Sequence, residues 1–264
     1  MITSGQQLFI NSAIPALKRD ARIAGVAIGG SYIRRETMDE FSGIDFIIAV
    51  NEESWEEVLR DRVEIAMTLG TLLASFTGEH IQKPDQLICL YDDPLTHVDL
   101  DFVRVGEVGA RFEEPVVMFQ RESLLYDEFS KRPPMVPVPD LQWFEDRFWI
   151  WVHFIATRIG RGELFDAIES LSFLRLNVLG PLISMKNGFP SRGVRHIERD
   201  CPDDARMLTE TLASYDKKSC LRALKGAANL YISLRGVNKA SLFLRDKAES
   251  RALRYLSHIS DMIS

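Results

Sequence analysis

Short apolar runs and helix-period stripes divide this chain into two unlike halves. In the first, Leu8, Ile10, Ile14, Leu17 and Ile23 fall near the spacing of one helical face and predict a leading helix. Ala24 to Ile28 and Ile44 to Val50 are short runs rich in β-formers and read as buried strands. Trp55, Val58, Leu59, Val63, Ala66 and Leu69 predict a helix from Ser54 to about Ser75, and Gln86 to Tyr91 and His97 to Val103 read as two further strands. Strands alternating with helices fit an α/β or α+β domain.

The prolines of Lys131-Arg132-Pro133-Pro134-Met135-Val136-Pro137-Val138-Pro139 then break the pattern, because proline fixes φ and removes the amide donor that helices and sheets need. The expected division is therefore an α/β (α+β) domain with a mixed sheet over residues 1–135 and a second domain over 140–264. Beyond the prolines, Leu141, Phe144, Phe148, Trp151, Val152, Ile155 and Ile159 form one apolar stripe, and Leu164, Ile168, Leu171, Leu174, Val178 and Leu182 another. Gly160-Arg161-Gly162 supplies the turn between them. After a loop at Asn187 to Val194, two or three more helices are expected, giving an all-α helical bundle. There is no internal repeat.

Composition narrows the class. With 264 residues, 46% hydrophobic and 27% charged, the chain has the make-up of an ordinary globular protein with room for one large or two modest domains. No apolar run approaches the roughly 20 residues that span a bilayer, and Met1-Ile2-Thr3-Ser4-Gly5 lacks the basic-then-apolar plan of a signal peptide, so a cytoplasmic location is expected. Cys89, Cys201 and Cys220 are too scattered for a zinc knuckle or a disulfide framework and read as reduced and structural. A net charge of −6 argues against a general nucleic-acid binder and suits a small or cationic substrate.

Candidate chemistry gathers in the first half. Gly29-Gly30-Ser31 follows an apolar strand, and glycines there let the backbone approach a ligand while N–H groups and a serine hydroxyl meet phosphate oxygens. The run lacks the third glycine of a dinucleotide fingerprint and the Gly-Lys-Ser of a P-loop. Asp45 interrupts the next apolar strand, where a carboxylate is costly unless paired, hydrogen-bonded or bound to metal. His97-Val98-Asp99-Leu100-Asp101 puts Asp99 and Asp101 on one face of another strand, so that two adjacent acidic strands would gather three carboxylates around one spot. Hard oxygen donors of this kind suit Mg²⁺, and a remaining carboxylate can take a proton from an acceptor hydroxyl.

These residues carry a resemblance. Gly30-Ser31, the loop Tyr32 to Phe41, Ser42-Gly43-Ile44-Asp45 and Val98-Asp99-Leu100 resemble the nucleotidyltransferase superfamily of DNA polymerase beta. The chain's size and helical second half are most similar to its bacterial aminoglycoside and lincosamide nucleotidyltransferases. The resemblance implies transfer of a nucleoside monophosphate, usually from ATP, to a hydroxyl of a small molecule, with Mg²⁺ (or Mn²⁺) as cofactor. It implies that Gly30 and Ser31 hold triphosphate oxygens, that Asp45 binds metal, and that Asp99 completes the metal site or acts as base. The helical domain would close a cleft over nucleotide and acceptor.

One position departs from the family. Two acidic residues separated by one are expected at 43 and 45, and Gly43 takes the place of the first. Three accounts stand open: Asp101 supplies a replacement, the site binds nucleotide or a protein partner without turnover, or Gly43 marks a variant of an active parent.

Arg34, Arg35, Arg192 and Arg195 are candidate polyphosphate contacts, since guanidinium forks match phosphate oxygens. Each alone also fits a solvated surface residue; Arg192 and Arg195 stand out because a glycine-bearing loop between helices carries them. Trp143, Trp149 and Trp151 read as core, His97 as a strand-edge polar residue, and Glu145, Asp146, Glu163 and Asp166 as solvated helix surface.

Overall fold

The computed structural model describes residues 3–34, 38–136, 138–236 and 242–263. The chain forms two compact units, Met1–Met135 and Val136–Ser264.

The first unit opens with helix α1, Ser4–Arg19, whose start is fixed by a reciprocal cap. Thr3 Oγ1 accepts from the Gln6 amide at 3.2 Å and the Thr3 amide donates to Gln6 Oε1 at 2.9 Å, satisfying two N–H groups that a helix start leaves unpaired. The buried Gln6 side chain does more than cap. Its Nε2 donates to the carbonyls of Asp39 and Ser42 at 2.9 and 2.7 Å, tying down the loop that leads into Gly43 and Asp45.

Strands β1 (Ile23–Ile28), β2 (Ile44–Val50), β3 (Leu72–Gly78), β4 (Lys83–Tyr91), β5 (Thr96–Arg104) and β6 (Val116–Gln120) make one mixed sheet in the order β3-β4-β5-β2-β1-β6. Only β2 and β5 pair in parallel, at the centre, and the remaining neighbours are antiparallel. Period-two alternation sorts the two faces. Ile44, Phe46 and Ile48 of β2, with Val98, Leu100 and Phe102 of β5, join the main core with Ile10 and Leu17 of α1. Helices α2 (Trp55–Arg60) and α3 (Arg62–Met67) add Trp55, Val58 and Ile65 to it. On the opposite face Ile47, Ala49 and Val103 join a smaller cluster with Leu125 and Phe129 of α4 (Leu124–Ser130). Asp45, Asp99 and Asp101 share this second face by parity.

Two sequence expectations change here. The single helix from Ser54 to about Ser75 is two short helices followed by strand β3. The break between α2 and α3 falls at Asp61, whose carboxylate pairs with Arg22 at 2.7 Å, and Gly70 packs against Phe9 and Tyr91 before the chain turns into the sheet. Strand β6 and helix α4 were not anticipated from the sequence pattern.

The second unit is helical: α5 (Leu141–Arg161), α6 (Leu164–Leu174), a π-helical turn at Arg175–Leu179, α7 (Gly180–Lys186), short α8 (Ile197–Asp200) and α9 (Pro202–Thr209), α10 (Lys217–Gly236) and α11 (Asp246–Ile263). Asp140 caps α5 by accepting from the Trp143 amide, and Gly162, at φ +80°, ends it. Both apolar stripes enter one core, with Phe148 stacked on Tyr231 at 3.7 Å between ring centroids. Trp149 is buried in this core and Trp151 packs against the core's edge, whereas Trp143 sits at the rim, 39% exposed, under the Arg147 guanidinium.

Glu145 corrects the reading of a solvated helix surface. Its side chain is fully buried, accepting from Tyr231 Oη at 2.7 Å, from Arg235 Nη1 at 2.9 Å and from the Arg245 amide at 2.9 Å. Asp146, Glu163 and Asp166 stay partly exposed in ion pairs, the first with Arg245 and the other two with Arg158. No helix among the described residues is long and apolar enough to cross a membrane.

Candidate functional site

The parallel register of β2 and β5 decides which carboxylates meet. Asp45 is the register partner of Asp99, so their Cα atoms lie one strand spacing apart, about 4.8 Å, with both side chains on the same face. Asp101 pairs with Ile47 instead, one repeat further along. It is occupied there: Lys83 Nζ of β4 donates to Asp101 Oδ2 at 3.1 Å. The expected gathering of three carboxylates at one spot is thus a pair, Asp45 and Asp99, with Asp101 displaced along the strand. Among the described residues no group of three or more His, Cys, Asp or Glu side chains is arranged to hold a metal ion.

Gly30 and Asp45 are in closer contact than the sequence implied. After β1 the backbone turns at Gly30, which has φ +60°, and enters a 3₁₀ turn, Gly30–Ile33, that carries Ser31 half-buried. The Gly29 amide donates to the Asp45 carbonyl at 2.9 Å. A Cβ at Gly30 would stand 1.9 Å from Asp45 Oδ2. Glycine is required twice over, by the left-handed backbone and by the carboxylate pressed against it. The Gly30 amide in turn donates to Glu113 Oε1 at 2.7 Å, a partner absent from the sequence reading.

The gap at Gly43 faces His97. A Cβ at position 43 would meet the His97 carbonyl oxygen at 3.2 Å and its Cδ2 at 3.6 Å. His97 does not stand alone at a strand edge: its Nε2 lies 2.8 Å from Asp99 Oδ1, with the imidazole 59% exposed and the carboxylate 23%. The spacing of 97 and 99 on one strand allows this pairing, because alternate residues share a face.

Behind the carboxylates the wall is apolar. Cys89, on β4, is the register partner of Val98; burial pushes its thiol up to about 12, with the nearby Asp99 charge adding to the effect. Such a thiol is no nucleophile at neutral pH.

The other predicted contacts lie in separate segments of the chain. Arg34 ends the 3₁₀ turn and is exposed, and Arg35 lies outside the described residues. Arg192 and Arg195 belong to the helical unit, in the turn that leads into α8. Their surroundings are cationic: burial first, then the charges of Arg199, Arg195 and Arg192, hold His196 below its ordinary value, although Asp200 opposes this.

No family model matches the chain, and no curated protein sequence matches it. Solved structures do overlap with it. An aminoglycoside 6-adenyltransferase from Bacillus subtilis aligns over 100% of this chain and 98% of its own, at 16% identity and a TM-score of 0.37. A nucleotidyltransferase-like protein from Exiguobacterium sibiricum 255-15 aligns over 95% of this chain and 77% of its own, at 12% identity and a TM-score of 0.32. Each is a loose similarity along most or all of the chain.

Proposed function

We propose that this chain binds a nucleoside triphosphate, ATP by the resemblance of its motifs, at the corner formed by Gly30, Ser31 and Asp45. It then transfers the nucleoside monophosphate to a hydroxyl of a small molecule. The observation that carries this reading is the direct packing of Gly30 on the Asp45 carboxylate. Gly30, read as a phosphate holder, and Asp45, read as a metal ligand, are 15 positions apart in sequence and in direct contact, which supports the reading. A glycine backbone beside a carboxylate suits close approach of a metal-bound polyphosphate.

Asp45 and Asp99 are the residues that would hold Mg²⁺ or Mn²⁺. Two hard oxygen donors on neighbouring strands suit one such ion, which commonly keeps several waters and takes its remaining ligands from phosphates. When bound, the ion neutralises phosphate charge and favours attack at phosphorus. Gly30 and Ser31 steady the triphosphate through the amide and hydroxyl donors of the turn. Asp99 or Asp101 accepts the proton of the acceptor hydroxyl. The acceptor is a small hydroxylated molecule, and the antibiotic-modifying branch of the resemblance names one class of these.

A specific observation favours a second reading, binding of nucleotide or of a protein partner without turnover. Gly43 contributes no ligand, His97 beside the gap is engaged with Asp99, and Asp101, further along its strand, is engaged with Lys83. Incubation with ATP, Mg²⁺ and a panel of hydroxylated small molecules separates the two. Pyrophosphate release that depends on the acceptor supports transfer; tight metal-dependent nucleotide binding with no release supports the second reading.

A further inference from the structure

The amide that the nucleotide reading assigns to a phosphate oxygen already has an anionic partner within the chain. Glu113 Oε1 accepts the Gly30 N–H at 2.7 Å, from a loop 83 residues further along. A carboxylate oxygen and a phosphate oxygen are the same kind of partner for a backbone amide, a compact anionic acceptor in a short charge-assisted hydrogen bond. One donor serves one such acceptor well. Asp45 presses on the same glycine, so a triphosphate entering here would meet two carboxylates.

The loop is anchored on either side of Glu113. Arg111 pairs with Glu114 at 2.6 Å, donates to the carbonyls of Gly109, Phe129 and Arg132, and lies over the Phe129 ring at 4.5 Å. Those ties hold the backbone of the loop. Displacement of the Glu113 carboxylate from the Gly30 amide is thus a side-chain rotation, and the segment that carries it keeps its Arg111 ties.

We infer that Glu113 is a built-in competitor for the triphosphate: its carboxylate caps the Gly30 amide until a phosphate oxygen displaces it. The inference rests on the nucleotide reading above. It also gives the site a threshold. A ligand must bring enough charge and metal coordination to outweigh the Glu113 contact, which favours a metal-bound polyphosphate over orthophosphate.

The test is calorimetric titration of the unmodified protein, Glu113→Gln and Glu113→Ala with ATP and Mg²⁺, and in parallel with tripolyphosphate as a probe lacking base and sugar. Circular dichroism establishes that each variant is folded. Removing a charged competitor should tighten binding about tenfold or more in Glu113→Ala. Glu113→Gln, which keeps an acceptor oxygen without charge, should tighten it by less. Equal tightening for tripolyphosphate and ATP places the effect at the phosphates. If the unmodified protein binds ATP and both folded variants bind no more tightly, Glu113 is a strut or a ligand and the inference fails alone. If none of the three folded proteins binds either probe, the nucleotide reading fails and takes this inference with it.

Discussion

Gly30 and Asp45 are packed so closely that a methyl group on the glycine would overlap the Asp45 carboxylate, with 1.9 Å between Cβ and Oδ2. Gly30→Ala is accordingly expected to lose metal-dependent nucleotide binding and to destabilise the first unit. The left-handed backbone at φ +60° alone contributes about 1–2 kcal/mol, before the carboxylate is displaced. Gly29→Ala is the control. Its Cβ would meet Glu113 Oε1 at 3.5 Å and Ile47 Cδ1 at 3.8 Å, ordinary contact distances, so the urea midpoint should stay near that of the unmodified protein.

Gly43→Asp is expected to act through metal. The new Cβ fits beside the His97 carbonyl oxygen at 3.2 Å with a shift of a few tenths of an ångström, and brings a third carboxylate to Asp45 and Asp99. Without a cation, clustered like charges should lower the melting temperature; Mg²⁺ should restore it, since a ligand bound only by the folded state stabilises it. Thermal melts in chelator and in Mg²⁺ read this directly. Any acceptor-dependent pyrophosphate release should rise at least about tenfold if the second ligand is what limits the reaction.

Much of this site was legible in the chain because period-two alternation fixes parity. Ile44, Phe46 and Ile48 mark the buried face of β2, and Val98, Leu100 and Phe102 that of β5, which leaves Asp45, Asp99 and Asp101 together on the other. Register was not legible. Whether Asp45 stands opposite Asp99 or Asp101 depends on how two distant segments align, and parity alone fits either. The strand at Leu72–Gly78 was hidden because its leucines continue the helical spacing of Val63, Ala66 and Leu69; only Gly70 marks the break. β6 is half-buried at all five positions, so it has no alternation to read. Glu113 gave no signal, because its partner is a backbone amide that any carboxylate could reach. Glu145 was misread because it is followed by the charged Asp146 and Arg147, although Leu141, Phe148, Trp149 and Val152 share its helix face; its partners Tyr231 and Arg235 lie 86 and 90 residues away.

Glu145 is expected to make the helical unit acid-sensitive. Burial pushes its carboxyl up, but the Arg245 amide, Tyr231 and Arg235 outweigh burial and leave it below the ordinary value. The folded group therefore stabilises the protein fully above the unfolded value of about 4.3, and that contribution is lost as pH falls through the lower folded value. Glu145→Ala leaves the buried Arg235 paired with Glu249 but takes the acceptor from Tyr231 Oη and the Arg245 amide, and should cost about 1–3 kcal/mol at neutral pH. Urea midpoints between pH 7 and pH 3 check both points: the unmodified protein should weaken below about pH 4.3, and Glu145→Gln should weaken less steeply.

The cysteines are expected to be silent in the folded state. Cys89, Cys201 and Cys220 are all buried and free, and burial raises each thiol above its ordinary value. At pH 8 a neutral alkylating reagent should label none of them, and should label all three in denaturant. Mass spectrometry of intact protein counts the additions, and a fast-reacting Cys89 under native conditions would show that the wall behind Asp99 opens.

The central claim is that Gly30, Asp45 and Asp99 form a metal-dependent triphosphate site despite Gly43. Calorimetric titration of the unmodified protein with ATP, with and without Mg²⁺ and repeated on Asp45→Asn, tests it most directly. Saturable binding that requires Mg²⁺ and disappears in Asp45→Asn is the expected result. Absence of binding in Mg²⁺, or binding indifferent to both the metal and Asp45, would contradict it.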